Sequence, residues 1–548
     1  MQGLEVVVLL GLAVLGSGLL SQRVRIAQPI LLLAAGAVLG LIPALHVVSL
    51  PPEVVLLLFL PALLYWDSLT TSLRAIRTML RAIALASTLL VIATAAAVAW
   101  AAHRLGMAWG PAWILGAAVA PTDATAMSAL SHLLPHRQLT TLRAESLVND
   151  GTALVVYGLA VGVTAGADTL SAVHVSGLFL LAYAGGAAAG WVTARLAVLA
   201  RRGLDSPTME NVVSMLTPFV AFLLAELVHA SGVLAVVVCG LILSQVGPRL
   251  VRADTRQQAN SFWTLTTFVL NGALFVLVGL EVPNVVRGMS DDLLPRALIA
   301  VGVISGVVIG SRFVWMFTMP YLIRLVDRRP GQRLLRVGAR ARVVSASAGF
   351  RGAVSLAAAL AVPPTLESGA PFPDRDEIIF VTTGVIVVTL VLQGLALPMI
   401  VRWAALPQDD KRERERVIAE MTATEEAMAA LDSVADDLDI DPAVRERTRA
   451  EYRDHLRVLH STAHANGVDH HGPGGDDEDE DEAQRAEEDA LARAAEHYRT
   501  LRLELLTYKR SAVVRMRDQR QIDDSVLRQI QTRLDIEEVR LSRRETSE

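Results

Sequence analysis

The stretch Gly116-Ala-Ala-Val-Ala-Pro-Thr-Asp-Ala-Thr125 places a proline and a carboxylate in the middle of an apolar run. Pro121 lacks a backbone donor, so a helix that crosses this stretch is interrupted there. A second apolar run is interrupted at Ser345-Ala-Ser-Ala-Gly-Phe-Arg-Gly-Ala-Val-Ser355, where two glycines flank Arg351. Interrupted spans at corresponding positions of two halves are typical of inverted-repeat transporters with a site at the membrane midplane.

The chain around these two stretches has the composition of a polytopic membrane protein. Of its 548 residues, 53% are hydrophobic, and the mean hydropathy is +0.44. Apolar runs of roughly 17–25 residues recur, which is the length that crosses a bilayer as a helix. The composition excludes an ordinary soluble enzyme. We predict about thirteen spans, at 4–20, 27–45, 51–67, 78–102, 107–131, 143–165, 172–199, 210–229, 232–246, 260–283, 293–324, 339–362 and 377–403.

Arginine in the connecting loops gives the orientation. The loops that follow spans one, three, five, seven, nine and eleven are rich in Arg, whereas 46–52, 166–171, 284–292 and 363–376 are poor in it. The positive-inside rule makes the basic loops cytoplasmic. We therefore expect the N-terminus outside and the C-terminus inside, which an odd number of spans requires.

The organisation follows from this count. Spans one to six and eight to thirteen are predicted to form two inverted six-helix repeats, with the broken spans five and twelve crossing each other. Residues 1–405 form the predicted transmembrane domain, and 406–548 a cytoplasmic tail of charged helices with an acidic linker at 464–482. The tail is interpreted as a solubilising, dimer-supporting appendage or as a pH-sensing module, with His464, His470 and His471 beside the acidic run.

Ionisable side chains inside the spans are candidates for function, because each costs about 2.5–3.5 kcal/mol to insert. The candidates are Asp67, Asp123, Glu145, Asp150, Glu226, Arg312 and Arg351. The sequence assigns no role to Glu226 or Arg312.

The densest cluster lies at the start of the sixth predicted span. Glu145, Ser146, Asn149 and Asp150 share one helical face, since residues four apart lie above one another. This face, together with Thr122 and unwound carbonyls of the broken fifth span, offers the oxygen ligands that a hard monovalent cation requires. The structural alternatives are interhelical hydrogen bonds for Ser146 and Asn149, and an ion pair for Asp150.

Asp123 has two interpretations. Thr122 or Asp123 could simply cap a helix start, or the charge of Asp123 could offset the dipoles of two half-helices that converge on it. Arg351 is the natural counterpart of Asp123 and could also pair with Glu145. Either pairing leaves Asp150 as the acid that is free to titrate.

At these residues the sequence resembles the bacterial NhaP/NHE-type Na⁺/H⁺ antiporters of the monovalent cation:proton antiporter superfamily. The resemblance extends over residues 4–405, with the matching motifs in family order. They are Leu-Phe-Leu-Pro-Ala-Leu-Leu-Tyr-Trp-Asp (58–67), Ala-Pro-Thr-Asp (120–123), Glu-Ser-Leu-Val-Asn-Asp-Gly (145–151), Ser-Gly-Val-Leu-Ala-Val-Val-Val-Cys-Gly (231–240), Phe262-Trp263 with Asn271 and Gly279, Gly-Phe-Arg-Gly-Ala-Val-Ser-Leu (349–356) and Gln393-Gly394.

The resemblance implies a homodimer in the plasma membrane of a bacterium, without a cofactor and without nucleic acid as a partner. A core bundle, about 78–165 and 293–403, would move against a dimerisation scaffold, about 4–67 and 172–283. The cation would bind Asp150, Ser146 and the Thr122 backbone, with Asp123 close by. Glu145 and Arg351 would form a structural ion pair, with Asn149 in a supporting role and Asp67 at the cytoplasmic funnel.

These inferences give a secondary antiporter, not an enzyme. It would exchange Na⁺, with Li⁺ or K⁺ as other substrates, for H⁺ by alternating access, and contribute to pH and sodium homeostasis. Electrogenic members of the superfamily resembled have a second Asp where this chain has Asn149, so we expect electroneutral 1:1 exchange. The alternatives are a K⁺/H⁺ antiporter, a cation channel and an intramembrane enzyme such as a protease. A metal site of His132 and His136 with Asp123 is disfavoured by the position of both histidines at a loop end.

Overall fold

The computed structural model describes most of the chain, and all regular structure in the described ranges is helical apart from an isolated bridge between Thr365 and Pro371. Those ranges are 2–24, 26–42, 55–123, 136–166, 172–204, 206–288, 293–326, 338–366, 369–406, 410–464 and 484–542. Residues 465–482 of the acidic linker, with His470 and His471, lie outside them, and so does His132.

In the described ranges, residues 2–165 contain seven α-helices. They are α1 (Gln2–Val24), α2 (Gln28–Leu39), α3 (Leu60–Thr70), α4 (Leu73–Leu85), α5 (Val91–Arg104), α6 (Trp109–Val119) and α7 (His136–Ala165). Two π-helical turns belong to this segment: Val55–Phe59 leads into α3, and Ala86–Leu90 joins α4 to α5.

From residue 172 the described ranges contain eight further helices, most of them apolar, followed by four charged ones. The eight are α8 (Ala172–Arg202), α9 (Pro207–Glu226), α10 (Gly232–Leu250), α11 (Ala253–Gly288), α12 (Leu294–Val326), α13 (Ala339–Ser347), α14 (Ala353–Leu360) and α15 (Arg375–Ala404). The four are α16 (Asp410–Asp437), α17 (Pro442–His464), α18 (Gln484–Asp518) and α19 (Asp524–Ser542).

The helices agree with a multi-span membrane protein. Nine helices of the described ranges are long and apolar enough to cross a membrane, and three shorter apolar helices accompany them. Helices suit this environment because each satisfies its own backbone hydrogen bonds, which lipid cannot do. The predicted all-α polytopic class is confirmed, while the count of thirteen spans stays a prediction.

The predicted interruption of the twelfth span is present, and the described part of the fifth span ends where its interruption is predicted. Helix α6 ends at Val119, and the backbone from Ala120 to Asp123 is not helical; the second half of the predicted fifth span lies outside the described ranges. In the predicted twelfth span, α13 ends at Ser347 and α14 begins at Ala353. The backbone between them is free to bond with other elements.

Two buried apolar clusters hold the interrupted segments. One joins α5, α6, α12 and α15 through fully buried residues such as Ile114, Ile304 and Val385. The other includes Leu33, Phe275 and Phe350, and so joins α2 and α11 to the break between α13 and α14. Close van der Waals packing of this kind drives helix association in membranes, where lipid removes the hydrophobic difference.

The chain divides into two compact units. The first comprises 1–245 and 261–408, and the second comprises 246–260 and 409–548. The second unit therefore contains, besides the predicted tail, residues that the sequence assigned to the end of span nine and the following loop.

Within the second unit, α16 to α19 pack around two apolar cores. Residues 246–260 are attached to α19 by polar contacts. The Arg256 Nε atom donates to Asp535 Oδ2 at 2.8 Å, and the Gln531 Nε2 atom donates to the Pro248 carbonyl at 3.3 Å. Asp535 and Gln531 are buried, so these bonds are protected from competing water.

Candidate functional site

The two interrupted segments meet directly. The backbone N–H of Asp123, just beyond α6, donates to the Phe350 carbonyl in the break before α14 at 2.8 Å. The Asp123 carboxylate lies against Gly352, where a side chain would overlap with it. Gly352 is the N-cap of α14, and its lack of a side chain is what allows the carboxylate to approach. The charge of Asp123 is therefore close to the positive end of the α14 dipole.

Arg351 lies at the C-terminal end of α6. Its Nε atom donates to the Val119 carbonyl at 2.9 Å and its Nη2 atom to the Ala120 carbonyl at 3.3 Å. Its Nη1 atom donates to the Gly349 carbonyl. The guanidinium group thus satisfies carbonyls at the C-terminus of α6, where a cation also offsets the negative end of the helix dipole.

Helix α7 contacts the same crossing through its polar face. The Ser146 hydroxyl donates to the Thr122 carbonyl at 2.8 Å. The Asn149 Nδ2 atom donates to Thr122 Oγ1 at 2.8 Å and to the Thr122 carbonyl at 3.3 Å. Ser146 and Asn149 are three residues apart and lie on the same face of α7. Their two side chains therefore both bind Thr122.

A cavity lies beside these residues. Its polar side chains come from three helices and the break after α6, and the remaining wall is apolar. The polar lining residues are Asp67, Asp123, Arg143, Ser146, Asp150 and Asn271. The structure thus brings Asp150, Ser146, Asp123 and Asp67 to one cavity. Glu226 is exposed at the end of α9 and is not part of it.

The structure assigns the buried ion pair differently from the sequence analysis. Glu145 Oε1 lies 2.6 Å from the Nη1 atom of Arg312 on α12, and side-chain exposures are 4% and 2%. The predicted pairing of Glu145 with Arg351 is therefore corrected to Glu145 with Arg312. The reason is geometric: Arg351 faces the carbonyl end of α6, whereas Arg312 packs over Gly349 and also donates from Nε to the Ser345 carbonyl at 3.2 Å.

Helix α7 is fixed on its other side by the irregular helix α4–α5. The Thr152 hydroxyl, fully buried, donates to the Ser87 carbonyl at 2.7 Å within the π-helical turn Ala86–Leu90. A π-helical turn disturbs the regular bonding ladder of a helix, and here a hydroxyl of the neighbouring helix bonds one of its carbonyls. This contact attaches α7 to the π-helical turn two residues beyond Asp150.

Sequence reasoning missed two participants. Arg312 was recognised as an intramembrane charge, but nothing in its local sequence identified its partner. Arg143 was not considered, although its spacing from Ser146 and Asp150 places all three on one face of α7. That helical spacing is the signal that could have found it.

The site contains carboxylates and hydroxyls, which suit a transported monovalent cation. Among the described residues no group of three or more His, Cys, Asp or Glu side chains is arranged to hold a metal ion. Na⁺ is considered below as a substrate, not as a resident metal.

An interrupted helix that meets the end of α6 beside a carboxylate-lined cavity is typical of a secondary transporter. A family model for the transmembrane sodium/hydrogen exchangers matches residues 9–403. The chain belongs to this sodium/hydrogen exchanger family, whose members are transporters, not enzymes.

Individual relatives agree with the family. An uncharacterised Na⁺/H⁺ exchanger of Mycobacterium tuberculosis is 44% identical over 541 residues, which is 98% of this chain and 96% of the relative. A sodium, potassium, lithium and rubidium/H⁺ antiporter of Bacillus subtilis is 32% identical over 391 residues, 68% of this chain and 58% of the relative. The solved sodium proton antiporter MjNhaP1 of Methanocaldococcus jannaschii is similar in fold, with a TM-score of 0.57 and 18% identity over 73% of this chain and 99% of that one.

Proposed function

We propose that the protein exchanges Na⁺ for H⁺ by alternating access, with Asp150 as the carboxylate for which the two ions compete. The observation that carries the proposal is the cavity: Asp150, Ser146 and Asp123 line one apolar space beside the crossing of the interrupted segments. Membership of the sodium/hydrogen exchanger family supports the choice of ions.

Burial explains why the two ions are coupled. An ionised carboxylate in an apolar, membrane-embedded cavity is costly unless a counter-charge accompanies it. Asp150 is therefore stable during the conformational change when it carries either a proton or a cation. A state with neither crosses slowly, so inward movement of one ion is paired with outward movement of the other.

The cation ligands in this proposal are the Asp150 carboxylate, the Ser146 hydroxyl and the Thr122 carbonyl, with Asp123 acting through water and Asp67 at the cytoplasmic funnel. The Thr122 carbonyl accepts hydrogen bonds from Ser146 and Asn149. Binding of a cation at this oxygen therefore requires a small rearrangement in which Ser146 presents its oxygen instead of its proton.

Asn149 determines the proposed stoichiometry. It is neutral and uses its amide protons to hold Thr122, so it carries no proton between the two sides. One titrating carboxylate gives one H⁺ for each monovalent cation, and the exchange is electroneutral.

Cation preference among Na⁺, Li⁺ and K⁺ is the finer question. The Bacillus subtilis relative is named for sodium, potassium, lithium and rubidium, which supports exchange of more than one alkali ion by this chain. A K⁺/H⁺ antiporter is the second candidate. A cation channel would need no titrating acid, and an imposed pH gradient would not drive cation uptake through it.

The proposed assembly is a homodimer in the bacterial plasma membrane, with the N-terminus outside and the tail in the cytoplasm. The core bundle would move against the dimerisation scaffold, and the protein would contribute to pH and sodium homeostasis. The arginine-rich alternate loops support the orientation.

The test is ion exchange by the purified protein in liposomes that contain a pH-sensitive dye. Addition of Na⁺, Li⁺ or K⁺ outside is expected to move protons for the wild type and for Glu226→Gln, a carboxylate variant at an exposed position. Asp150→Asn is expected to insert normally and move none. Proton movement by Asp150→Asn at the wild-type rate would refute the assignment, and equal inactivity of all proteins would refute exchange itself.

A further inference from the structure

Arg143 places a positive charge in the wall of a cavity that is proposed to bind a cation. Of the described residues that line the cavity, Arg143 is the one base, beside the carboxylates Asp67, Asp123 and Asp150. A cation entering this cavity is attracted by the acids and repelled by Arg143. The presence of a base in such a cavity requires a physical explanation.

The position of Arg143 is set by helix α7. It precedes Ser146 by three residues and Asp150 by seven, so all three project from one face, with a rise of about 10 Å between Arg143 and Asp150. Asp67, on α3, is within the electrostatic range of both Arg143 and Asp123, and Asp150 is within that of Asp67 and Asp123. The four side chains therefore form one interacting set.

No ion pair between described residues includes Arg143, whereas Arg312 on α12 is paired with Glu145. The side chain of Arg143 is half-buried. Its charge is therefore not neutralised by one close carboxylate among the described residues.

We propose that Arg143 is a positioning residue that acts as an internal counter-ion, which balances the carboxylates of the empty cavity and competes with the transported cation. This inference rests on the proposed function. The competition lowers cation affinity, and it keeps the site able to release its cation on the cytoplasmic side. Arg143 therefore determines affinity without being a ligand.

The expected size follows from Coulomb's law. A unit charge about 10 Å from the bound cation, in a medium with an effective dielectric constant of about 20 to 40, changes affinity by about four- to fifteenfold. Removal of this charge should therefore lower the apparent KM for Na⁺ and Li⁺ by that factor. The maximal rate should stay the same or fall, because a more tightly bound cation leaves more slowly.

The experiment measures apparent KM and maximal rate for Na⁺ and Li⁺ in proteoliposomes at one fixed alkaline pH. Arg143→Gln, which keeps polarity and removes the charge, is expected to show the lower KM, and Arg143→Lys is expected to restore a value near the wild type. Arg143→Met tests the same charge removal if the Gln variant does not fold. Arg77→Gln, an exposed arginine of α4, is the matched control and is expected to leave both constants unchanged.

An unchanged or raised KM for a folded neutral variant would overturn the proposal, and so would failure of Arg143→Lys to restore affinity. A merely structural role would lower the maximal rate of the neutral variants and leave KM unaltered. These failures are separate from failure of the proposed function, which would appear as absence of exchange in the wild type and in Arg77→Gln.

Discussion

The corrected ion pair between Glu145 and Arg312 gives a quantitative prediction about stability. Arg312→Met removes the cation and leaves the Glu145 carboxylate, which is 4% exposed, without a counter-charge. Loss of one partner of a buried pair costs about 3–5 kcal/mol. The hydrogen bond from Arg312 Nε to the Ser345 carbonyl is lost as well, which adds about 1 kcal/mol.

Removal of both charges should recover most of this loss. In Arg312→Met/Glu145→Leu no buried charge is left unpaired, and apolar replacement of a buried pair is often close to neutral. The coupling free energy between the two positions should therefore be at least about 2 kcal/mol. Arg351 bonds to backbone carbonyls, so its coupling to Glu145 should be at most about 1 kcal/mol.

The assay is a double-mutant cycle on purified protein in mixed micelles, with unfolding followed by tryptophan fluorescence as the proportion of denaturing detergent rises. The first cycle consists of the wild type, Arg312→Met, Glu145→Leu and the double variant of these two. The second cycle replaces Arg312→Met by Arg351→Met. If Glu145 were coupled to Arg351 as strongly as to Arg312, the ion pair described here would be incorrect.

Three further predictions follow from other residues. Lys509 lies 4.2 Å from the centre of the Tyr452 ring, and burial lowers the pKa of Lys509 from 10.5 to about 8. Between about pH 8 and 10.5 the unfolded tail therefore binds more protons than the folded tail, so the stability of the tail rises with pH in this range. Lys509→Met should therefore stabilise α18 at pH 7 by up to about 3 kcal/mol. Amide hydrogen exchange in α18 should be slower in this variant than in the wild type, and faster exchange would contradict the prediction. Gly352→Ala should displace the Asp123 carboxylate and reduce exchange at least about tenfold in liposomes, while wild-type activity would show that the close contact is unimportant. Asn149→Asp should make the exchange rate depend on membrane potential, and a rate that ignores an imposed potential would refute the stoichiometric role of Asn149.

The interruptions of the fold were predictable because their causes are local. Pro121 removes a backbone donor whatever surrounds it, and the glycines beside Arg351 weaken the helix at that point. The residues near Asp150 were also accessible to sequence reasoning, because helical spacing alone places Ser146 and Asp150 on one face.

The partners across helices could not be predicted in the same way. Arg312 and Arg351 both lie within apolar segments, and the choice between them for Glu145 depends on the rotation of α12 and the direction of the backbone in the break. Residues 246–260 likewise join the tail through pairs such as Arg256 with Asp535, 279 residues apart. Local sequence contains no information on contacts at such separation.

Proton release on cation binding tests the shared carboxylate most directly. Na⁺ is added to the detergent-purified protein in a weakly buffered solution, and the pH change is recorded with a dye. The wild type should release about one proton for each Na⁺ bound, because the cation displaces the proton of Asp150, and Asp150→Asn should release none. Na⁺ binding to the wild type without proton release, or equal release by Asp150→Asn, would contradict the competition of the two ions at this residue.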